Sequence, residues 1–213
     1  MFFNILSKPG LHFLKKISSA LPVPGAYLAG GTALALILGH RESIDLDWFS
    51  PVMFNTKAVA ESLSKLGQLR ISEVKKGTLH CFLDDIQVTW LYYPNPLLAE
   101  LQTAPETPGL SLASLLDIAV MKWAALSSRG SRKDFIDLFF IAQTGLELKE
   151  LVPLLNKKFP AANINYYHMF KSLAFFDDAE HEPWPVMHRP VQWEEIKTFF
   201  RQQQELLLNE CLG

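Results

Sequence analysis

Asp45 and Asp47, separated only by Leu46 in the stretch "SIDLDWF" (residues 43–49), have the residue type and spacing to do chemistry. In extended backbone, side chains two apart share a face, and their Cα atoms lie about 6–7 Å apart. Two carboxylates that close repel, and each raises the other's pKa unless a cation is shared between them. Mg²⁺ fits such a pair, because it takes oxygen ligands, keeps several waters and is commonly held by one or two carboxylates plus substrate phosphates. An isolated Asp-x-Asp has a plainer reading, a solvated acidic face.

Fourteen positions before Asp45 stands Gly31, within "AGGTALALILG" (residues 29–39). Glycines between a strand and a helix let backbone N–H groups approach a ligand closely, and the helix N-terminus favours an anion. Thr32 is placed either to cap that helix or to offer its hydroxyl to a phosphate. Alone, Gly30-Gly31 reads equally as a tight turn. A phosphate cradle followed by a metal-holding pair on the next strand is a joint pattern that neither plain reading explains.

The elements that must position these groups are legible in outline. Leu11, Leu14, Ile17 and Leu21 have helical spacing, and "PVPG" ends that helix. A strand over 26–29, a helix over 32–39 and an alternating strand over 44–49 make a β-α-β unit. A helix over 57–66 precedes three strand-like runs in "LRISEVKKGTLHCFLDDIQVTWLYYP", divided by turns at Lys76-Gly77 and Asp84-Asp85. The segment "PNPLLAELQTAPETPG" (94–109) holds four prolines, and everything beyond it reads as helix, near 111–126, 132–142, 148–157, 165–174 and 193–208. The expected architecture is α+β: a small mixed sheet with helices over 1–95, then an all-helical domain over 96–213. The last helix, "WEEIKTFFRQQQELLL", is long enough to serve as an interface.

Composition bounds the function. The 213 residues are 49% hydrophobic, enough for a substantial core, and a net charge of −2 announces no global field for nucleic acid. Cys81 and Cys211 fit no metal spacing or disulfide framework, which favours a reducing, cytoplasmic setting. The apolar start lacks the marks of a signal peptide, and no uncharged run approaches the roughly 20 residues that span a bilayer. Trp48, Trp90, Trp123, Phe135, Phe139 and Phe140 have core spacing, and His168, His181 and His188 lie too loosely in a tail to form a metal site.

"GGTALALILGHRESIDLDWF" resembles the nucleotidyltransferase superfamily of DNA polymerase β type, and more closely its AbiEii/AbiGii toxin branch. "SLLDIAVMKWAALSSRGSRKDFIDLFFI" (114–141) is similar to that branch's helical motif of a lysine, an arginine, then a basic residue with Asp-x-x-Asp. The resemblance runs from about Gly25 to Ile141. It implies a nucleoside triphosphate held by Gly30, Gly31 and Thr32 in a cleft between the two domains. Asp45 and Asp47 would bind Mg²⁺, and Lys122 would act on the phosphates. It implies further that Asp134 reaches the cleft as a base or as an organiser of Lys122. Read on their own, Lys122 is a snorkelling lysine among apolar neighbours, and Asp134 and Asp137 cap their helix or pair with Arg129, Arg132 or Lys133. The implied acceptor is an RNA end or a protein hydroxyl, in a toxin–antitoxin or phage-defence setting with a cognate antitoxin.

One position departs from the superfamily pattern. A third carboxylate is expected before "YP", where it completes the metal site and activates the attacking hydroxyl; here that position is Thr89, which can do neither. Glu73 and Asp134 are candidate substitutes, whereas Asp84 and Asp85 fall in a turn. Arg41 is placed to pair with Asp45 or Asp47. The sequence thus leaves three readings: a Mg²⁺-dependent nucleotidyltransferase, a degenerate nucleotide- or partner-binding module, and an interaction protein with a solvated acidic face.

Overall fold

The structure, a computed structural model, describes residues 1–212. The chain divides into two compact units, Met1–Ser114 and the remainder from Leu115 on. The division falls later than the proline-rich run suggests, because residues 96–114 belong with the sheet.

In the first unit, a 3-10 turn (Phe3–Ile5) leads to α1 (Lys8–Ser19), whose start is set by Ser7 capping the Gly10 N–H and by Pro9 in the first turn. β1 (Tyr27–Ala29) runs directly into α2 (Gly30–Leu38), which ends at left-handed Gly39. β2 (Leu46–Ser50) starts just beyond Asp45, so Asp47 is in the strand and Asp45 immediately precedes it. α3 (Thr56–Leu63) is capped by Asn55, whose side chain accepts from the Lys57 and Ala58 N–H groups. The meander β3 (Leu69–Lys75), β4 (Thr78–Leu83) and β5 (Ile86–Tyr92) follows as the alternation predicts. Two short strands, β6 (Gln102–Thr103) and β7 (Ser111–Leu112), complete the sheet. Their two-residue length among prolines and polar residues leaves no alternation to detect, and residues 111 and 112 are strand rather than the predicted helix start.

The strand order is β3-β4-β5-β2-β1-β7-β6. β2 pairs antiparallel with β1 and parallel with β5, and β1 pairs parallel with β7, so the sheet is mixed. One face is apolar: Leu46, Trp48, Leu79, Cys81, Val88 and Trp90 are all fully buried, and the Trp48 and Trp90 rings stack with centroids 5.4 Å apart. Alternation then places Asp47, His80 and Thr89 on the opposite face.

The second unit holds α4 (Leu115–Arg129), α5 (Arg132–Ala142), α6 (Leu148–Lys158), α7 (Tyr166–Ser172), the short α8 (Asp177–Glu180) and α9 (Trp193–Leu212). Its core is aromatic: Phe135 packs against Phe176, Trp193 and Phe200, and Trp123 against Phe170. Inside it, the Lys158 ammonium donates to the Asp117 carboxylate at 2.6 Å, and both residues are fully buried. Removing one partner of such a pair leaves an uncompensated buried charge. Lys158→Met is therefore expected to destabilise the chain by about 3–5 kcal/mol in chemical denaturation, with much of the loss recovered when Asp117→Leu is added.

Candidate functional site

β1 ends and α2 begins without a connecting loop, and Gly30 makes that junction possible. Its φ is +69°, in the left-handed region, and a Cβ there would lie 2.8 Å from Asp47 Oδ2. The register explains the approach: Ala29, the last residue of β1, pairs with Asp47 on β2, so the chain turns into α2 directly beside that carboxylate. Gly31 is constrained from another side. A Cβ at this position would stand 2.7 Å from an Arg41 guanidinium nitrogen. Arg41 is buried, and its guanidinium also donates to the Glu42 carbonyl at 2.9 Å. A cation therefore lies against the first turn of α2, which the pairing of Arg41 with an aspartate, expected from sequence, does not by itself disclose.

Thr32 occupies the third helical position and does not cap α2; Ala29 is the cap residue and offers no side-chain bond. The Thr32 hydroxyl lies 2.7 Å from that of Ser43 and donates to the Asp45 carbonyl, with the residue buried. That hydroxyl fastens the segment carrying Asp45 to the start of α2, and its direct use on a phosphate would require breaking this bond. Gly30, Gly31, Thr32, Asp45 and Asp47 are thus brought together in the first unit.

Asp45 and Asp47 are half-buried. Among the described residues, no group of three or more His, Cys, Asp or Glu side chains is placed to hold a metal ion. Two carboxylates with no third ligand suit an ion that completes its shell with water and phosphate oxygens, as Mg²⁺ does. Thr89 pairs in register with Asp47 across β2 and β5, the position where a third carboxylate would adjoin the pair. Glu73 cannot replace it directly. Three strand spacings separate β3 from β2 in the sheet order, roughly 14 Å of backbone.

Lys122 and Asp134 belong to the second unit. The Lys122 ammonium is 2.9 Å from Asp134 and 2.6 Å from Asp137, and both aspartates are fully buried. Arg129 adds two bonds to Asp134, from Nε at 2.6 Å and from a terminal nitrogen at 2.9 Å, while its own side chain is 62% exposed. Lys122 is therefore clamped by two carboxylates, and does not simply snorkel. Burial alone would raise the Asp134 carboxyl, but attraction to Lys122 and bonding to Arg129 outweigh it and hold Asp134 below the usual carboxylate range. A carboxylate held ionised in this way is a weak base and a good organiser of Lys122.

A lowered folded-state pKa contributes stability that is present above the unfolded value and lost as pH falls through the folded one. Thermal stability is accordingly expected to fall below about pH 4, and less steeply in Asp134→Asn, measured by differential scanning calorimetry across pH. Gly30→Ala is expected to cost about 1–2 kcal/mol from its left-handed backbone and to displace the Asp47 carboxylate, seen as a shifted Asp47 side chain in a crystal structure of the variant.

Comparison with known proteins bears on the family and the fold. The profile of the family described as "Nucleotidyl transferase AbiEii toxin, Type IV TA system" matches residues 87–209. That span includes Thr89 and the Lys122–Asp134 network and lies beyond Gly30 and the Asp45–Asp47 pair. An uncharacterized protein of Aquifex aeolicus (strain VF5) is 36% identical over 201 residues, covering 93% of this chain and 95% of that one. Two solved structures share the fold. MenT4, a nucleotidyltransferase toxin of Mycobacterium tuberculosis H37Rv, superposes with a TM-score of 0.56 at 18% identity, covering 93% of this chain and 81% of that one. A putative nucleotidyltransferase from H. pylori gives 0.57 at 17% identity, with 96% of each chain covered. With the profile matched over more than half its length, the chain belongs to the AbiEii nucleotidyltransferase toxin family.

Proposed function

We propose that this chain binds a Mg²⁺–nucleoside triphosphate at the start of α2 and transfers a nucleotide to a hydroxyl, on an RNA end or a protein, in a toxin–antitoxin or phage-defence setting. The observation that carries the reading is the close approach of Gly30 to Asp47, which brings a helix N-terminus and a carboxylate together. Backbone N–H groups of Gly30 and Gly31 would donate to a phosphate there, and the Arg41 guanidinium beside Gly31 adds positive charge. Asp45 and Asp47 would hold the Mg²⁺, which when bound neutralises phosphate charge. Thr32 sets the position of Asp45 through its carbonyl.

Thr89 favours a second reading, a module that binds the nucleotide without transferring it, because the residue beside Asp47 on β5 is a threonine and not a carboxylate that could activate an acceptor. Incubation with each labelled nucleoside triphosphate, Mg²⁺ and total RNA or protein separates the two. Transfer is expected for wild type and abolished by Asp45→Ala with Asp47→Ala. Nucleotide-dependent thermal stabilisation without transfer to either acceptor would instead support the second reading.

A further inference from the structure

A row of polar side chains leads away from Asp47 across the sheet. Thr89 on β5 pairs with Asp47 on β2 and, on its other side, with His80 on β4; His80 in turn pairs with Glu73 on β3. Registered neighbours on adjacent strands share a face, so the four side chains stand in one line. A break in the β3 register between Ile71 and Glu73 brings Glu73 opposite His80. Two contacts join three of them: His80 Nδ1 is 3.1 Å from Thr89 Oγ1, and His80 Nε2 is 3.7 Å from Glu73 Oε2. Lys75 bonds to Glu73 at the outer end and, by that bond and its charge, holds the carboxyl below its ordinary range. Thr89 is buried, while the His80 and Glu73 side chains are 33% and 41% exposed, so the row runs from the candidate site to solvent.

Nucleophile, base and orienting carboxylate form this kind of chain in enzymes that activate hydroxyls. We infer that His80 takes the acceptor's proton in place of the missing third carboxylate, with Thr89 as the relay and Glu73 as the counter-ion of the resulting imidazolium. The inference rests on the nucleotide-transfer reading above. As the acceptor oxygen bonds to the α-phosphorus, its proton passes, directly or through one water, to Thr89 Oγ1, and the Thr89 proton passes to His80 Nδ1. The P–O bond to the β-phosphate breaks, and its electron pair leaves on pyrophosphate. Neutral His80 must then carry its proton on Nε2, facing Glu73, and accept at Nδ1 from Thr89. Two strand spacings, roughly 10 Å, separate the backbones of Asp47 and His80, and Thr89 stands between them.

Two measurements on the full chain test this. Long-range ¹H–¹⁵N spectra of the histidine rings are expected to show His80 as the Nε2–H tautomer in wild type and to lose that bias in Thr89→Val; an Nδ1–H tautomer in wild type overturns the relay. Transfer of labelled nucleotide to total RNA is expected to fall about 10²–10⁴-fold in His80→Ala, with nucleotide-dependent thermal stabilisation unchanged and activity partly restored by added imidazole. Transfer at the wild-type rate in His80→Ala, while Asp47→Ala abolishes it, overturns the inference and leaves the transferase reading intact. Absence of both transfer and nucleotide stabilisation in wild type removes the transferase reading and this inference with it.

Discussion

The register between β1 and β2 is the constraint on which the candidate site depends. Because Ala29 pairs with Asp47 and β1 passes into α2 with no loop, the helix N-terminus and the carboxylate are forced together. Only a residue without Cβ tolerates that approach at a φ of +69°. Slipping the pairing by one residue would turn Asp47 into the apolar face, where Trp48 now stacks on Trp90. The buried tryptophan pair and the polar site are thus two sides of one register, and the cost of burying a charge in place of Trp48 keeps that register from moving.

The second unit reaches its polar arrangement by a different route. Burying these five charges, Asp117, Lys122, Asp134, Asp137 and Lys158, is unfavourable unless each is met by an opposite one and by hydrogen bonds. Asp117 is met by Lys158, and Asp134 and Asp137 by Lys122, with Arg129 forked onto Asp134 from the helix edge. These pairs tie α4 to α6 and to α5. The lysine that sequence places among apolar residues is buried because it has two carboxylates to neutralise it. Of the two roles the resemblance implies for Asp134, base or organiser of Lys122, the pairing with Lys122 suits the second.

Much of this was legible in the sequence because it is carried by local pattern. The β-α-β unit, the β3–β5 meander, the helices and the tryptophan core all follow from periods of two and 3.6 and from turn residues. The relation of Thr89 to Asp47 was also readable, through the family's motif order. What remained hidden depends on strand order. β6 and β7 are too short to show alternation, so residues 94–109 read as a proline-rich crossing and 111–114 as the start of a helix. Arg41 was visible as a charge near the aspartates, but not as the neighbour of Gly31, which only the return of the chain past α2 creates. The place of His80 in the row beside Thr89 is hidden for the same reason. Its polar place in "TLHCFL", between buried Leu79 and Cys81, marks the non-core face, yet nothing local says that this face also carries Asp47.

The proposed function requires that Gly30, Asp45 and Asp47 form one site for a metal-bound triphosphate. Isothermal titration calorimetry of nucleoside triphosphates, with and without Mg²⁺, tests it most directly. The account predicts Mg²⁺-dependent binding to wild type that is lost in Asp47→Asn and in Gly30→Ala while both variants remain folded. Binding that is indifferent to Mg²⁺ and to both substitutions, or no binding to wild type, would contradict it.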